Sequence, residues 1–257
     1  MAWSPETYLK FADHRLRPAL DLLNRIDLDD PKVIYDLGCG PGNVTEFLAK
    51  RWPTAAVTGF DNSPEMLQRA GEDFPHMSWR LADIGHWRAP EPADLIYSNA
   101  ALHWLDGHDK LFSALFAAVA PGGVLAVQMP RNFAQPSHLL MRECAEAGPW
   151  ASVLRPLLRA DPVASPAEYW RILSPEGAEL DIWEVDYLQR LTGEDAVFNW
   201  MMGTTLRPLL AALTDELRGD YLASYRRALG AAYTPEKDGS TLFPFRRLFL
   251  VARKSIL

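Results

Sequence analysis

The sequence is short of cysteine and of positive charge, and each shortage excludes a class of protein. Two cysteines, Cys39 and Cys144, are too few for a disulfide framework or a cysteine-rich zinc module, and they favour the reducing cytoplasm. Lys and Arg total 26 against 33 Asp and Glu, which gives a net charge of -7. Because non-specific binding to nucleic acid requires an excess of positive charge, we expect no nucleic-acid partner.

Long hydrophobic runs are also missing. The longest, residues 114–129, is interrupted by Pro-Gly-Gly at 121–123 and is too short to span a membrane. The first fifteen residues include the charged side chains Lys10, Asp13 and Arg15 and lack the apolar centre of a signal peptide. We therefore expect a soluble cytoplasmic protein with no membrane partner. Nothing in the sequence specifies an oligomeric state.

What the first half of the sequence does contain is an alternation of two patterns. Short apolar runs that read as buried strands lie at 33–38, 55–60, 77–82, 94–98 and 123–128. Segments with helical spacing of apolar residues lie between them, at 43–52, 63–74 and 107–119. Such alternation predicts an α/β fold, with a mostly parallel sheet and helices on both of its faces.

After residue 129 the pattern becomes mainly helical. Helices are predicted over 137–147, 166–173, 194–203, 206–213 and 215–231. Alternating apolar and polar residues at 179–191 predict a half-exposed strand at the open edge of the sheet, and 243–253 predicts a last strand that returns to the sheet. The helices between these two strands are therefore interpreted as an insertion.

A glycine-rich loop follows the first predicted strand. Gly38, Gly40 and Gly42 give the spacing G-x-G-x-G, which differs from the G-x-G-x-x-G of dinucleotide-binding loops. Glycines let the backbone approach a ligand closely, and Asp36 just before them suits a cationic or donor-rich ligand. The alternative is a tight turn that needs glycine and binds nothing.

Polar residues end the next three predicted strands, which favours the binding interpretation. Asp61 follows the second strand at the usual place for a carboxylate that binds two ribose hydroxyls. Asp83 ends the third strand, where a carboxylate can accept a hydrogen bond from an exocyclic amine, and Asn99 ends the fourth. Folding alone does not explain polar side chains at consecutive strand ends.

Five segments carry a resemblance to a known family: VIYDLGCGPGN, VTGFDNSPEML, LADIGHW, ADLIYSNAALHWL and PGGVLAVQMP. They resemble the class I S-adenosylmethionine-dependent methyltransferases. Segments outside them, such as MAWSPETYLKFADHRLRPALDLL and ILSPEGAELDIW, are similar to the trans-aconitate 2-methyltransferase family. The resemblance implies a Rossmann-like fold with an antiparallel last strand and a single domain over 1–257. Residues 1–30 would be a helical lid, and 131–178 and 194–240 would be helical segments on the substrate side.

The resemblance also implies S-adenosylmethionine as cofactor, with S-adenosylhomocysteine as product. The glycines would pass close to the methionine part, Met66 and Ile84 would sandwich the adenine, and the Asn99 region would bind the methionine amino group. The predicted cofactor-binding residues are Arg15, Asp36, Gly38, Gly40, Gly42, Asp61, Asn62, Met66, Asp83, Ile84 and Asn99.

The implied substrate is trans-aconitate or a related small polycarboxylate. An ionised carboxylate needs no general base, so we predict no catalytic residue, and His103 is a possible base only for a hydroxyl acceptor. The remaining carboxylates need cations, preferably arginine. The predicted substrate-binding residues are Trp3, Tyr8, His103, Trp104, Arg131, Arg207 and Arg247. Each has a structural alternative as an ordinary surface or core residue.

Three further interpretations remain open at this stage. They are an O-methyltransferase with a hydroxyl acceptor, a nicotinamide-dependent oxidoreductase, and a non-catalytic module that binds S-adenosylmethionine. The glycine spacing argues against the oxidoreductase. His103, Asp106 and His108 match no established metal spacing, so no metal is expected. Arg131 and His103 depart from the family, which commonly has an acidic residue and glutamine there.

Overall fold

The structure is a computed structural model that describes residues 12–203 and 205–256, without the side chains of 12–15. Its strands are β1 (Val33–Leu37), β2 (Ala56–Asp61), β3 (Ser78–Leu81), β4 (Ala93–Asn99), β5 (Val119–Pro130), β6 (Ala178–Leu191) and β7 (Thr241–Lys254). Its α-helices are α1 (Ala12–Arg25), α2 (Asn43–Arg51), α3 (Pro64–Asp73), α4 (His108–Ala117), α5 (Pro136–Ala147), α6 (Ala151–Leu154), α7 (Pro166–Leu173), α8 (Ala196–Met202), α9 (Leu206–Ala211) and α10 (Asp215–Ala232). Short 3-10 turns cover Leu102–Trp104, Arg155–Leu157 and Ser174–Glu176.

Within the described residues, the seven strands form one sheet in the order β3-β2-β1-β4-β5-β7-β6. The first five strands pair in parallel, and β7 is antiparallel to β5. The predicted α/β fold with an antiparallel last strand is confirmed, and β6 is at the sheet edge as expected. The strand order reverses between β1 and β4, and ligands of such sheets bind at this switch point beyond the carboxyl ends of the strands.

The fifth strand begins earlier than the sequence predicts. Val119 pairs with Ala93, after which the register shifts and Leu95 pairs with Val124. The residues between form a bulge in which Gly122 has φ of 80°. The prediction of a helix to residue 119 was therefore wrong at its end, because Val119 joins the sheet before the bulge instead of extending α4. Helix α6 and the 3-10 turns were not predicted, since each is too short to show a period.

The helix starts follow the local sequence. Ser63 Oγ accepts a hydrogen bond from Met66 N at 3.3 Å, and Pro64 is at the first position of α3, where its missing N–H costs nothing. A capping box at Ser165 and Glu168 begins α7 in the same way. Such starts place the helices where strand–helix alternation predicts them.

The chain divides into two compact units. Among the described residues, the first, which we call the helical unit, comprises 12–14, 131–161, 186–203 and 205–246, and the second, the sheet unit, comprises 15–130, 162–185 and 247–256. Buried residues of α5, α8, α9 and α10 form the core of the helical unit, together with part of β7. The core of the sheet unit lies on strands β1, β4 and β5, where Ile34, Leu95 and Val127 are completely buried.

No helix in the part of the chain that the structure describes is long and apolar enough to cross a membrane. Both cysteines, Cys39 and Cys144, are free thiols.

Candidate functional site

The glycine loop is fixed to the end of the neighbouring strand. Gly38 N and Cys39 N both donate hydrogen bonds to Phe60 O, at 2.8 and 3.0 Å. Gly38 has φ of 76°, and a Cβ on it would lie only 2.2 Å from Ala101 Cβ. The first glycine is therefore required twice, by its left-handed backbone and by the close approach of the chain that follows β4.

The other two glycines differ from each other. A Cβ on Gly42, where φ is 85°, would lie 2.5 Å from the Trp79 ring, so this glycine also serves packing. A Cβ on Gly40 would meet no described atom within 4 Å. The middle of the loop thus has open space beside its backbone, which is where a ligand could pass.

Asp61 joins the loop to the start of α3. Its Oδ2 accepts a hydrogen bond from Gly40 N at 2.9 Å, and its Oδ1 accepts one from Ser63 N at 2.9 Å. A carboxylate has about four acceptor sites, so two bonds leave capacity for two hydroxyl donors. This geometry is compatible with the predicted ribose contact, which stays a prediction.

Asp36 lies beneath the loop and not on its surface. Its side chain is buried, and Thr45 Oγ1 donates to Asp36 Oδ2 at 2.6 Å, which connects β1 to α2 across the loop. The pKa of Asp36 is raised to about 7, chiefly because the side chain is buried; the Thr45 hydrogen bond works against this rise and the nearby Asp61 adds to it. The structure thus gives Asp36 a role in holding the loop, and its direct contact with a cofactor stays a prediction.

The residues predicted to contact an adenine, Met66, Asp83 and Ile84, lie on helix α3 and in the turn after β3. Ile84 Cδ1 lies 3.8 Å from the Cβ position of Gly38, and Met66 is buried on the first turn of α3. Asn62 is exposed. Asp83 bonds to Gly85 N at 2.9 Å and His86 Nδ1 at 2.8 Å, and the His86 bond lowers its pKa. These hydrogen bonds fix the Asp83 carboxylate in a turn of its own.

The sequence did not predict the arrangement at the ends of β4 and β5. Asn99 and Gln128 pair in register, and Ala100 N donates to Gln128 O at 2.9 Å. Ala100 has φ of 53°, a conformation unusual for a residue with a Cβ, and it turns the chain so that Ala101 faces Gly38. Asn99 Oδ1 is buried without a hydrogen-bond partner among residues 12–203 and 205–256.

The 3-10 turn after β4 carries both aromatic candidates. His103 is buried, while Trp104 is half exposed, and their ring centroids are 4.8 Å apart. The turn is held by His108, whose Nε2 donates to Leu102 O at 3.0 Å while its Nδ1 accepts from Tyr169 OH at 2.6 Å. His108 therefore has a structural role, as a support for the turn that presents His103.

The three arginines predicted to bind the substrate lie in different units of the chain. Arg247, in the sheet unit, is 4% exposed and lies on β7 opposite Pro130. Arg131 and Arg207 belong to the helical unit, both partly buried, and Arg131 N donates to Arg246 O at 2.9 Å. Arg246 itself forms two hydrogen bonds with Asp186, at 2.9 and 2.8 Å. Trp3 and Tyr8 lie outside the described residues, as does the side chain of Arg15.

The fold and the glycine loop have counterparts among known proteins. A protein-family model described as a methyltransferase domain matches residues 34–123. The solved structure of the YcgJ protein from Bacillus subtilis has a TM-score of 0.63 at 12% identity, over 93% of this chain and 99% of that chain. The fold and the family model together define a methyltransferase domain with the class I fold.

Relatives that match nearly the whole chain identify the family within this class. A trans-aconitate 2-methyltransferase from Azoarcus sp. (strain BH72) is 46% identical over 97% of this chain and 98% of its own length. One from Streptomyces coelicolor is 49% identical over 98% of this chain and 86% of its own length. The chain belongs to the trans-aconitate 2-methyltransferase family, which confirms the predicted resemblance.

Proposed function

We propose that this methyltransferase uses S-adenosylmethionine to esterify one carboxylate of trans-aconitate or a related small polycarboxylate. The observation that carries the substrate class is Arg247, a guanidinium that is 4% exposed at the carboxyl-end edge of the sheet in a chain of net charge -7. A guanidinium presents its donors in a planar fork that matches a carboxylate, so it suits an anionic acceptor better than a neutral alcohol.

The described residues of the loop fit the cofactor on two observations. There is open space beside Gly40, and Asn99 has a buried oxygen, Oδ1, with no partner in the described part of the chain. When bound, S-adenosylmethionine supplies an electrophilic methyl group. Gly38, Gly40 and Gly42 would hold its methionine part, Asp61 would accept bonds from the ribose, and Asn99 would face the amino group.

The protein's own contribution is orientation and exclusion of water. An ionised carboxylate is already a nucleophile at neutral pH, so no side chain has to remove a proton. Good alignment of two reactants can supply on the order of 7–11 kcal/mol. We propose that His103 and Trp104 help to enclose the acceptor and that Arg247, in the same unit, holds one of its carboxylates. Arg131 and Arg207, in the helical unit, stay predicted substrate-binding residues.

The remaining assignments are proposals of the same kind. The lid over residues 1–30 stays a prediction, because Trp3 and Tyr8, expected over the acceptor, and the Arg15 side chain, expected at the cofactor carboxylate, lie outside the described residues. Residues 131–178 and 194–240 would line the substrate side within a single methyltransferase domain over 1–257. Location in the cytoplasm is inferred from the low cysteine content.

A turnover assay with methyl-labelled S-adenosylmethionine tests the proposal. We expect base-labile methyl ester from trans-aconitate, slower product from dicarboxylates, and none from matched alcohols. Product from an alcohol alone would favour a hydroxyl acceptor. Cofactor binding by calorimetry without turnover of any acid would favour a non-catalytic binding module.

The pH profile distinguishes the two acceptor classes. With a carboxylate nucleophile, His103→Gln is expected to lower the rate without changing the shape of the kcat profile, since no base is titrated. A dependence near pH 6–7, the range of an ordinary histidine, that disappears in His103→Gln would contradict the carboxylate acceptor. A dependence that persists in His103→Gln but disappears in Asp36→Asn would come from the glycine loop, because Asp36 has a pKa of about 7.

A further inference from the structure

Gln128 is a buried polar residue whose role the family resemblance does not assign. It is completely buried, and it is the only residue with a polar side chain in the run 124–130 at the carboxyl end of β5. A polar side chain in a buried strand costs free energy unless its atoms are hydrogen-bonded. Its surroundings therefore indicate what it binds.

The sheet register places Gln128 on the same face as Asn99 and Arg247. Asn99 is directly opposite Gln128 on β4, and Arg247 is opposite Pro130, two residues further along β5. Residues two apart on a strand, and residues paired across strands, point to the same face. The three side chains thus form a polar row across the ends of β4, β5 and β7.

The hydrogen bond between Gln128 and Arg247 can have only one donor and one acceptor assignment. Arg247 Nη1 donates to the Gln128 side-chain oxygen Oε1 at 3.3 Å, and a guanidinium has only donors, so the amide oxygen must face it. The amide nitrogen Nε2 is then the end of the amide that is not bonded to Arg247. Nε2 is buried and has no hydrogen-bond partner among residues 12–203 and 205–256.

A buried amide donor next to a guanidinium creates a site for an anionic oxygen. Both groups are N–H hydrogen-bond donors. Away from water, a hydrogen bond to a charged acceptor is stronger than one between neutral groups. A planar carboxylate can accept from both at once. A neutral hydroxyl would be a weaker acceptor for both donors.

We propose that Gln128 and Arg247 together bind a non-reacting carboxylate of the acceptor, and that Gln128 Nε2 is a determinant of polycarboxylate specificity. This inference rests on the proposed function and assigns a particular residue pair to one carboxylate. It differs from a purely structural role, in which Gln128 would only satisfy Arg247 inside the fold.

The test compares Gln128→Leu and Gln128→Glu with Trp87→Phe as the matched control. Trp87→Phe also removes a buried N–H without a described partner, but from an aromatic cluster with Tyr35 and Phe60. The measurements are KM and kcat for trans-aconitate and for fumarate, which lacks the third carboxyl arm, together with S-adenosylhomocysteine affinity and Tm.

We expect Gln128→Leu to raise the KM for trans-aconitate by about 10- to 100-fold, the range for loss of a hydrogen bond to a charged group. Fumarate should be affected less, so that the preference of the wild type for the tricarboxylate shrinks. Gln128→Glu should raise KM further, because its carboxylate would pair with Arg247 and repel the substrate. Trp87→Phe should leave the KM ratio unchanged, and the affinity for S-adenosylhomocysteine should be unchanged in all three.

Two outcomes would overturn the inference while leaving the methyltransferase proposal intact. They are an unchanged KM in a folded Gln128→Leu variant, and a loss of S-adenosylhomocysteine affinity instead, which would assign the pair to the cofactor carboxylate. If Gln128→Leu does not fold, an unchanged KM in Gln128→Glu decides against it equally.

Binding of trans-aconitate to the S-adenosylhomocysteine complex, measured by calorimetry, separates the two proposals. If the wild type binds the acid and Gln128→Glu does not, the carboxylate site stands even when no turnover is observed. If the wild type neither binds nor methylates the acid, both proposals fail.

Discussion

The two compact units of this chain are built by different means. In the sheet unit the critical features are backbone conformations, because Gly38, Gly42 and Ala100 all have positive φ and allow close approach of neighbouring chain segments. In the helical unit the critical features are side chains, since Tyr221 and Tyr225 are completely buried within one apolar cluster. Added atoms should therefore harm the sheet unit, whereas removed atoms should harm the helical unit.

The pKa shifts of buried titratable groups also differ between the two units. Asp36 in the sheet unit has its pKa raised by burial to about 7, and His138 in the helical unit has its pKa lowered by burial to about 4. His138 retains hydrogen bonds with Ser137 Oγ at 3.2 Å and Thr205 Oγ1 at 3.4 Å. Burial favours the neutral form of both, so the acid and the base respond to pH in opposite directions.

The largest expected effect comes from adding one methyl group to the loop. Gly38→Ala should reduce kcat/KM by about 100-fold or more, because a Cβ 2.2 Å from Ala101 forces the backbone of the site to move. It should also lower Tm. In the helical unit, Gly193 has φ of 96° and open space around its Cβ position. Gly193→Ala should therefore cost stability alone, and an equal loss of activity in both variants would contradict the comparison.

The next largest effect concerns the carboxylate that joins the loop to α3. Asp61→Ala should weaken S-adenosylmethionine binding by roughly 1–3 kcal/mol, since it removes a charged acceptor for two hydroxyls and frees Gly40 N and Ser63 N. Calorimetry on the folded variant measures this. The affinity of Asp83→Ala for S-adenosylmethionine is the value to compare with it, because the Asp83 carboxylate is already hydrogen-bonded to His86. Unchanged affinity in Asp61→Ala would remove Asp61 from the site.

A pH series of Tm values compares the two buried titratable groups. Because the pKa of Asp36 is raised from 3.8 to about 7, the folded state holds a proton that the unfolded state releases. The free energy of unfolding therefore falls as the pH rises between these two values. Because the pKa of His138 is lowered from 6.5 to about 4, the unfolded state takes up a proton that the folded state does not bind. The free energy of unfolding therefore falls as the pH decreases from 6.5 to about 4.

The variants Asp36→Asn and His138→Gln should each remove one of these slopes. Asp36→Asn should flatten the loss of Tm on the way to neutral pH, and His138→Gln should flatten the loss on the acidic side. In a domain of this size each kcal/mol corresponds to about 2–4 °C in Tm. Slopes that change in the same direction in both variants would show that the groups do not titrate as assigned.

The smallest expected effect is a gain. Gly219 lies within α10 of the helical unit, and a Cβ there would meet no described atom within 4 Å. Gly219→Ala should raise the free energy of unfolding by about 0.5–1 kcal/mol, because alanine loses less conformational freedom on folding. Chemical denaturation measures it, and activity should be unchanged. A loss of stability would indicate that this helix face is occupied.

Prediction from sequence succeeded where the signal is local and repetitive. Strand β1 and helix α3 were located within a residue or two, because an apolar run ending in glycine and a Ser-Pro helix start are encoded in adjacent residues. Gln128 was missed as a candidate site residue, although one polar residue in an apolar strand was a signal that could have identified it. The bulge in β5 was missed because it depends on pairing with Ala93, far away in sequence.

By itself, the sequence determined the α/β class, the position of the glycine loop and the family, since these depend on periodicity and on contiguous motifs. Only the tertiary structure decided that Gly38 must lack a Cβ beside Ala101, that Asp36 lies beneath the loop, and that Gln128 and Arg247 meet. The physical reason is the same in each case. Which side chain faces which depends on strand register and burial, and both are set by segments distant in the chain.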